Sequence, residues 1–506
     1  MASKKRPYEA LKALSVSTSV LSSTANILGW DQETYMPEEA TELRGLQLER
    51  LADLMHREKT SRKYTRLLSQ LVDLESGTIR DTSLSRSQQA AVREWRRDYL
   101  QTVKLPAAFV RKFTKETCIA IQAWKAAKEK NRFKDFLPHL KKIIDLSRKK
   151  ADYLGYKDHP YDALIDLYEP ETKTARLTEI LDGLKNPLTT LLRSIHEKPK
   201  PTFDFIHKGY PHNKQLEFNK IILDAMALDK SFCRLDETIH PMCISSHPSD
   251  IRITTHIYQH NPFINILSVI HEGGHALYDR HLPKEEFGTP LGEPCSHGIH
   301  ESQSRLWEAI IAHSLPFWKY FFPKLQQFYP EQLHGVRLEE LYQAINLVKP
   351  SLIRTDSDEV SYNLHIIVRF EIEKALIEGT LDAKDIPEIW NEKMKQYIGI
   401  TPKTDAEGCL QDIHWACGNI AYFPTYTLGN LYAAQFYEAF RLKHPEWEQK
   451  ISHGNFSELR HWLATEIHRF GREYLAEELC KKVTGKPLSE KPFLDYLQNK
   501  YKQIYP

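Results

Sequence analysis

Two histidines with a glutamate beside the first, in His271-Glu272-Gly273-Gly274-His275, constrain the fold of this chain more than any other feature. In an α-helix side chains four apart sit on one face, so both imidazoles can reach one ion. Glu272 then projects beside them, where a carboxylate can take a proton from a water polarised by that ion. The two glycines each weaken a helix interior by about 1 kcal/mol relative to alanine. Something therefore needs the space there, either a neighbouring helix or a substrate. Asn261-Pro262 can start this helix, and Ile264, Leu267, Val269 and Ile270 lead into the motif.

Helix is expected through most of the chain. Glycine is sparse, with 20 in 506 residues, and long stretches are rich in Leu, Lys, Glu and Arg. Between 37 and 60, Leu43, Leu46, Leu48, Leu51, Leu54 and Met55 follow a largely three-to-four spacing. Residues 87–102, 106–131 and 136–153 read similarly, with Pro106 suited to a first helical turn, so the first 150 residues read as an array of helical hairpins. Residues 198–212, rich in Pro and His, read as a loop. Further helices are expected at 338–347, 360–378, 386–397 and through most of 428–501. One stretch differs. Within 245–260, Ile251, Ile253 and Thr255 alternate with Arg252, Thr254 and His256, the period of a strand. It reads either as an edge that pairs with an extended peptide or as a short structural hairpin.

Composition removes several function classes. The net charge is +2 and no basic run stands out, so no nucleic-acid partner is expected. Seven scattered cysteines without a CxxC pair indicate neither a zinc knuckle nor a disulfide framework, and suit a cytoplasmic setting. Lys4-Lys5-Arg6 resembles the start of a signal peptide, but Tyr8, Glu9, Lys12 and many hydroxyl residues make the following segment too polar for one. No apolar run is long enough for a membrane span. With no repeat and no long linker, residues 1–506 read as one catalytic unit, with a mainly helical part over 1–200 and a metal-binding, catalytic part over 201–506.

A catalytic zinc takes three protein ligands and keeps one position open. His271 and His275 supply two. The preferred third is Glu301, in His300-Glu301-Ser302-Gln303-Ser304, where a second helix is expected to begin near His300 and run through Arg305, Trp307 and Ile311. Glu308 and Glu293 are weaker rivals, and Asp279 is better placed to orient an imidazole. Glu272 would act as general base toward the water and pass its proton to the leaving amine, hydrolysing a peptide bond without a covalent intermediate.

Several strings in one order carry a resemblance. They are Trp30-Asp31-Gln32-Glu33-Thr34-Tyr35-Met36-Pro37, Tyr161-Asp162-Ala163-Leu164 with Tyr168-Glu169-Pro170, and Asp250-Ile251-Arg252-Ile253-Thr254-Thr255. The metal motif and His300-Glu301-Ser302-Gln303 follow, then Ile353-Arg354-Thr355-Asp356-Ser357-Asp358 and Gly408-Cys409-Leu410-Gln411-Asp412-Ile413-His414-Trp415. Together, from about Trp30 to the C-terminus, they resemble the thermostable carboxypeptidase 1 (carboxypeptidase Taq, M32) family of metallocarboxypeptidases. The resemblance implies a mainly α fold: a large helical body with a deep active-site groove and a small β-sheet beside the zinc helix, in the manner of gluzincins. It implies a catalytic Zn2+ for which Co2+ can substitute, release of single C-terminal residues from peptides with broad specificity, and a homodimer.

By the same resemblance His271, His275 and Glu301 match the metal ligands and Glu272 the acid/base. Arg354 matches the residue that grips the substrate's terminal carboxylate, a task that suits a guanidinium fork. Arg252 is the runner-up for it, and Gln411 and Asp412 are expected at the substrate. His414 and Tyr426 resemble groups lining the reacting carbonyl, with Tyr422 the alternative to Tyr426. Two departures are visible: Ser357 where Ala is usual and Ala421 where Gly is common. Two other readings compete. A zinc endo-oligopeptidase would share the metal chemistry without needing a free terminus, and a catalytically silent helical peptide-binding protein would have no use for Glu272.

Overall fold

The computed structural model describes residues 6–199 and 201–505; Lys4, Lys5 and Lys200 lie outside the described residues. Helices occupy every stretch where apolar side chains recur at three-to-four spacing. They include Thr41–Lys59, Arg86–Val103, Ala107–Glu129 and Phe133–Leu154 near the start, and Leu338–Ile345, Tyr362–Glu378 and Ile386–Tyr397 later. Pro106 differs from expectation by one position. It stands just outside its helix as an extended cap residue (φ −60°, ψ 137°), its carbonyl free to accept the first helical bond. The polar segment after Arg6 is itself a helix, Pro7–Thr34. Among the described residues no helix is long and apolar enough to cross a membrane.

The chain divides into two compact units. One combines Met1–Val103, Phe203–Ile345 and Phe436–Pro487; the other combines Lys104–Thr202, Asn346–Gln435 and Leu488–Pro506. Each draws on both the N-terminal helical stretch and the later one.

The first unit holds a three-stranded sheet: β1 (Cys233–Glu237), β2 (Cys243–His247) and β3 (Asp250–Thr255), in the order β1-β3-β2. β3 pairs in parallel with β1 and antiparallel with β2, whose register slips between Ser245 and His247. Of the two readings of this stretch, the short structural hairpin holds and the peptide edge does not. The predicted strand exists, but it is central, and both its rows of backbone donors and acceptors are taken. Ile251 and Ile253 are buried, as the alternation requires, and Thr254 and Thr255 are buried as well.

The motif helix, Pro262–His281, follows the sheet. Pro262 supplies a preset first turn, and Asn261 caps it by accepting from the Phe263 N–H at 3.2 Å. Val269, Ile270, Ala276, Leu277 and Tyr278 are buried; each large aliphatic among them stabilises the packing by about 1.5–3 kcal/mol. The glycine pair makes room for protein. A Cβ on Gly274 would lie 2.6 Å from the Gln303 carbonyl oxygen and the Ser304 Cα, so the motif helix touches the next helix backbone to backbone. A Cβ on Gly273 would meet the Met226 side chain.

That next helix, His297–Arg305, starts three residues earlier than expected. Ser296 caps it by accepting from the Ile299 N–H. Beyond Arg305 it widens into a π-helix, Leu306–Ala312, a rare form frequent at functional sites.

In the second unit, the Tyr362–Glu378 helix is buried on nearly every side. Arg369 and Glu373, one turn apart on it, are both completely buried, so each needs a partner. A short helix, Pro160–Ile165, brings Tyr161 against it.

Candidate metal centre and active-site residues

The helical turn that sets His271 and His275 on one face, and the packing that brings the Glu301 helix against Gly274, together build a triangle. Glu301 Oε2 lies 3.7 Å from His271 Nε2 and 3.4 Å from His275 Nε2. One ligand atom from each residue falls within 4.8 Å of the others. Tetrahedral zinc with ligand bonds of about 2.0–2.1 Å separates its ligands by about 3.4 Å, so the donor set and its spacing fit that ion.

The support around the triangle differs in part from expectation. Glu308 does not join the ligands. Its Oε2 accepts from His271 Nδ1 at 2.8 Å, which turns the Nε2 lone pair toward Glu301, and it also receives Arg305 Nη1 at 2.5 Å. Asp279 orients an imidazole, as expected, but that of His300 (3.1 Å), whose ring stacks on His275 at 4.3 Å. Glu293 pairs instead with Arg472 at 2.9 Å.

Electrostatics follow from this geometry. Burial raises the Glu272 carboxyl, with Glu301 and Glu308 adding to it, to about 7. A base with that value is matched to neutral pH. Burial alone would lower His271, but Glu301 and Glu308 overcome it and hold the ring at about 9. Burial would likewise raise Glu301, yet the two imidazoles bring it down to about 2. The pocket is a concentrated negative site in which a proton on His271 stands where a cation's charge would act. Burial, helped by His300, keeps His275 neutral, lowered to about 4.

In the second unit, Arg354 is buried and engaged. Its Nε and Nη2 donate to Asp412 Oδ1 at 3.1 and 2.9 Å, and Nη1 donates to the Tyr362 hydroxyl at 2.9 Å. A guanidinium has more donors than these bonds use. Asp412 is shared, since its Oδ2 receives Arg369 Nε at 2.7 Å and Nη2 at 2.5 Å. Gln411 accepts the Arg354 backbone N–H at 2.9 Å and donates to the carbonyls of Leu352, Glu407 and Gly408. Gln411 and Asp412, expected at the substrate, are thus both turned onto Arg354.

His414 Nε2 lies 3.2 Å from the Tyr426 hydroxyl, and the buried Nδ1 makes no hydrogen bond among the described residues. A proton on Nδ1 would be a stranded donor, so the favoured neutral form carries it on Nε2 and donates to Tyr426. Burial lowers His414 to about 4, Arg354 and Arg369 adding to the effect, and keeps it neutral. Tyr422 packs edge-on against Tyr168 at 5.2 Å and beside the His414 ring.

Arg252, the alternative to Arg354, pairs with Asp250 and lies over the Trp30 ring at 4.4 Å; Arg234, its β1 neighbour, covers the same ring at 4.7 Å. Sequence reasoning did not single out Arg369, Glu373 or His300. For the first two a signal existed: charges inside a helix that carries apolar residues on every side.

Comparison with known proteins adds an independent line. The family model described as carboxypeptidase Taq (M32) metallopeptidase matches residues 10–501. Thermostable carboxypeptidase 1 of Thermus thermophilus is 38% identical over 98% of this chain and 99% of its own length. Carboxypeptidase 1 of Bacillus subtilis is 35% identical over 96% of each. The crystal structure of the M32 carboxypeptidase from Deinococcus radiodurans superposes with a TM-score of 0.95, at 35% identity and 99% coverage of both chains.

Proposed function

The chain belongs to the carboxypeptidase Taq (M32) metallopeptidase family and is a metallocarboxypeptidase, and from that premise we propose how its residues do the work. The family implies a divalent metal, and we take the ion to be zinc, with cobalt able to substitute. The observation that carries this reading is the triangle of His271, His275 and Glu301 with the buried Glu272 next to its first corner. When bound, the ion supplies a Lewis acid that makes water acidic and polarises a carbonyl. Glu272 takes the proton of the attacking water and delivers it to the leaving amine. Glu308 keeps His271 in the ligating tautomer.

Arg354 reads the free C-terminal carboxylate with the donors left over from Asp412 and Tyr362, while Gln411 and Asp412 act through it by holding it in place. His414 donates to Tyr426 and orients its phenol as a donor to the oxyanion. Arg252 remains the alternative carboxylate reader. Broad side-chain specificity, one catalytic unit spanning 1–506, a cytoplasmic setting and a homodimer belong to the same proposal.

One experiment tests its core. A zinc-loaded preparation is given a free-acid peptide ladder and the same peptide amidated at its C-terminus. Stepwise loss of one C-terminal residue from the acid alone is expected. Equal cleavage of the amide would remove the carboxylate-reading role and favour an endo-oligopeptidase.

A further inference from the structure

Glu373 is a buried carboxylate that the proposed chemistry does not use. Burying such a group is unfavourable unless its oxygens are bonded, and here three donors converge on it. Trp415 Nε1 donates to Oε1 at 2.8 Å, the Tyr161 hydroxyl to Oε2 at 2.8 Å, and the Ala421 backbone N–H to Oε2 at 3.1 Å. Two of these donors are the ends of one turn, 415–421. Ala421 has φ +70°, a conformation that a residue with a side chain holds only when its surroundings impose it.

The positions of those ends matter. His414 immediately precedes Trp415, and Tyr422 immediately follows Ala421. One turn earlier on the same helix, Arg369 holds Asp412 through two donors. The helix therefore grips the segment at 412, 415 and 421, and His414 and Tyr426 emerge on either side of the gripped turn.

We propose that Glu373 is a positioning residue: by clamping both ends of the 415–421 turn, it sets the contact between His414 and Tyr426 on which oxyanion stabilisation depends. This rests on the reading that those two side chains line the reacting carbonyl. Only a carboxylate can fill the position. A glutamine of the same shape must aim its NH2 at either the indole N–H or the Tyr161 and Ala421 donors, so one set of donors would always face a donor.

The test uses the full-length, zinc-loaded protein and a free-acid peptide substrate. Glu373→Gln is expected to lower kcat by about 10–100-fold, with KM and bound zinc changed by less than about twofold. In a Tyr426→Phe background the same change should lower kcat by less than about threefold, since the contact it protects is already gone. Trp415→Phe removes one of the three donors and keeps a ring; it should lower kcat by about 3–10-fold, and it carries the test should Glu373→Gln not fold. A multiplicative loss in the Tyr426→Phe background, or wild-type kcat in either Glu373→Gln or Trp415→Phe, overturns the inference. Wild-type kcat in both His414→Ala and Tyr426→Phe overturns instead the reading beneath it, and the inference falls with that reading.

Discussion

Gly274 is where the metal centre is most sensitive to a single methyl group. A Cβ there would sit 2.6 Å from the Gln303 carbonyl oxygen and from the Ser304 Cα. Relaxed contacts begin near about 3.5 Å, so Gly274→Ala must push the two helices apart locally by about 0.9 Å. Both offending atoms are backbone, and no rotamer change relieves them. Overpacking of this kind costs about 1–3 kcal/mol, at the upper end where backbone must move, and the gain in helix propensity returns about 1 kcal/mol. The net expectation is a destabilisation of about 1–2 kcal/mol.

The larger effect falls on function, because the displaced helix carries Glu301. A misplacement of about 1 Å can cost about 10²-fold in rate. Gly273→Ala is the control. Its Cβ would meet Met226 Cε at 2.7 Å and Sδ at 3.0 Å, the far end of a flexible thioether that can swing aside. It should change stability by less than about 1 kcal/mol and leave zinc affinity intact. Thermal melts of both variants with and without zinc, zinc titration and kcat measure the contrast. Wild-type zinc affinity and kcat in Gly274→Ala, or equal losses in the two variants, would refute the backbone-contact reasoning.

Other outcomes follow from the same geometry. Glu272→Gln should keep bound zinc while kcat drops by about 10²–10⁴-fold; an active variant would move the base elsewhere. Glu308→Ala removes the acceptor on His271 Nδ1 and should weaken zinc binding by about 10–100-fold, read by competition with a chelator, whereas unchanged affinity would make Glu308 incidental. Although burial raises the Asp412 carboxyl, Arg369 and Arg354 hold it below the ordinary range. Its folded pKa is depressed, so its contribution to stability is present above about pH 3.9 and is lost as the pH falls below that value. Asp412→Asn leaves two buried guanidinium groups short of a charge and should destabilise by about 3–5 kcal/mol at pH 7, with the gap to wild type narrowing below about pH 4. Urea midpoints across pH 2–7 measure it, and a gap independent of pH would contradict the assignment.

The metal triangle was legible because it depends on local rules. Helical spacing alone joins His271 to His275, and a capped acidic helix shortly afterwards is a natural source of a third ligand. The role of Glu308 was harder to read, because a ligand and the support of a ligand are the same residue type, and geometry alone separates them. The failure of the peptide-edge reading has a non-local cause. Alternation identified β3, but its position in the middle depends on β1 and β2 arriving from either side, which periodicity does not record. The buried pair Arg369 and Glu373 was written into a helix with apolar residues on every side, yet its partners are distant in sequence, at 161, 412, 415 and 421, where only tertiary structure brings them close.

The wide turn after Arg305 has a consequence for anyone who would move this centre into another scaffold. A π turn carries one residue more than the α turn it replaces, so Leu306–Ala312 is a built-in surplus. Forcing Leu306–Ala312 into a regular α-helix at full length would rotate everything beyond it by about 100°. Glu301 lies upstream and would keep its place, while Glu308 would swing off His271. A transplant drawn with regular helices would therefore deliver the three ligands and lose the brace behind one of them, so Glu301 through Ala312 has to travel as a single piece.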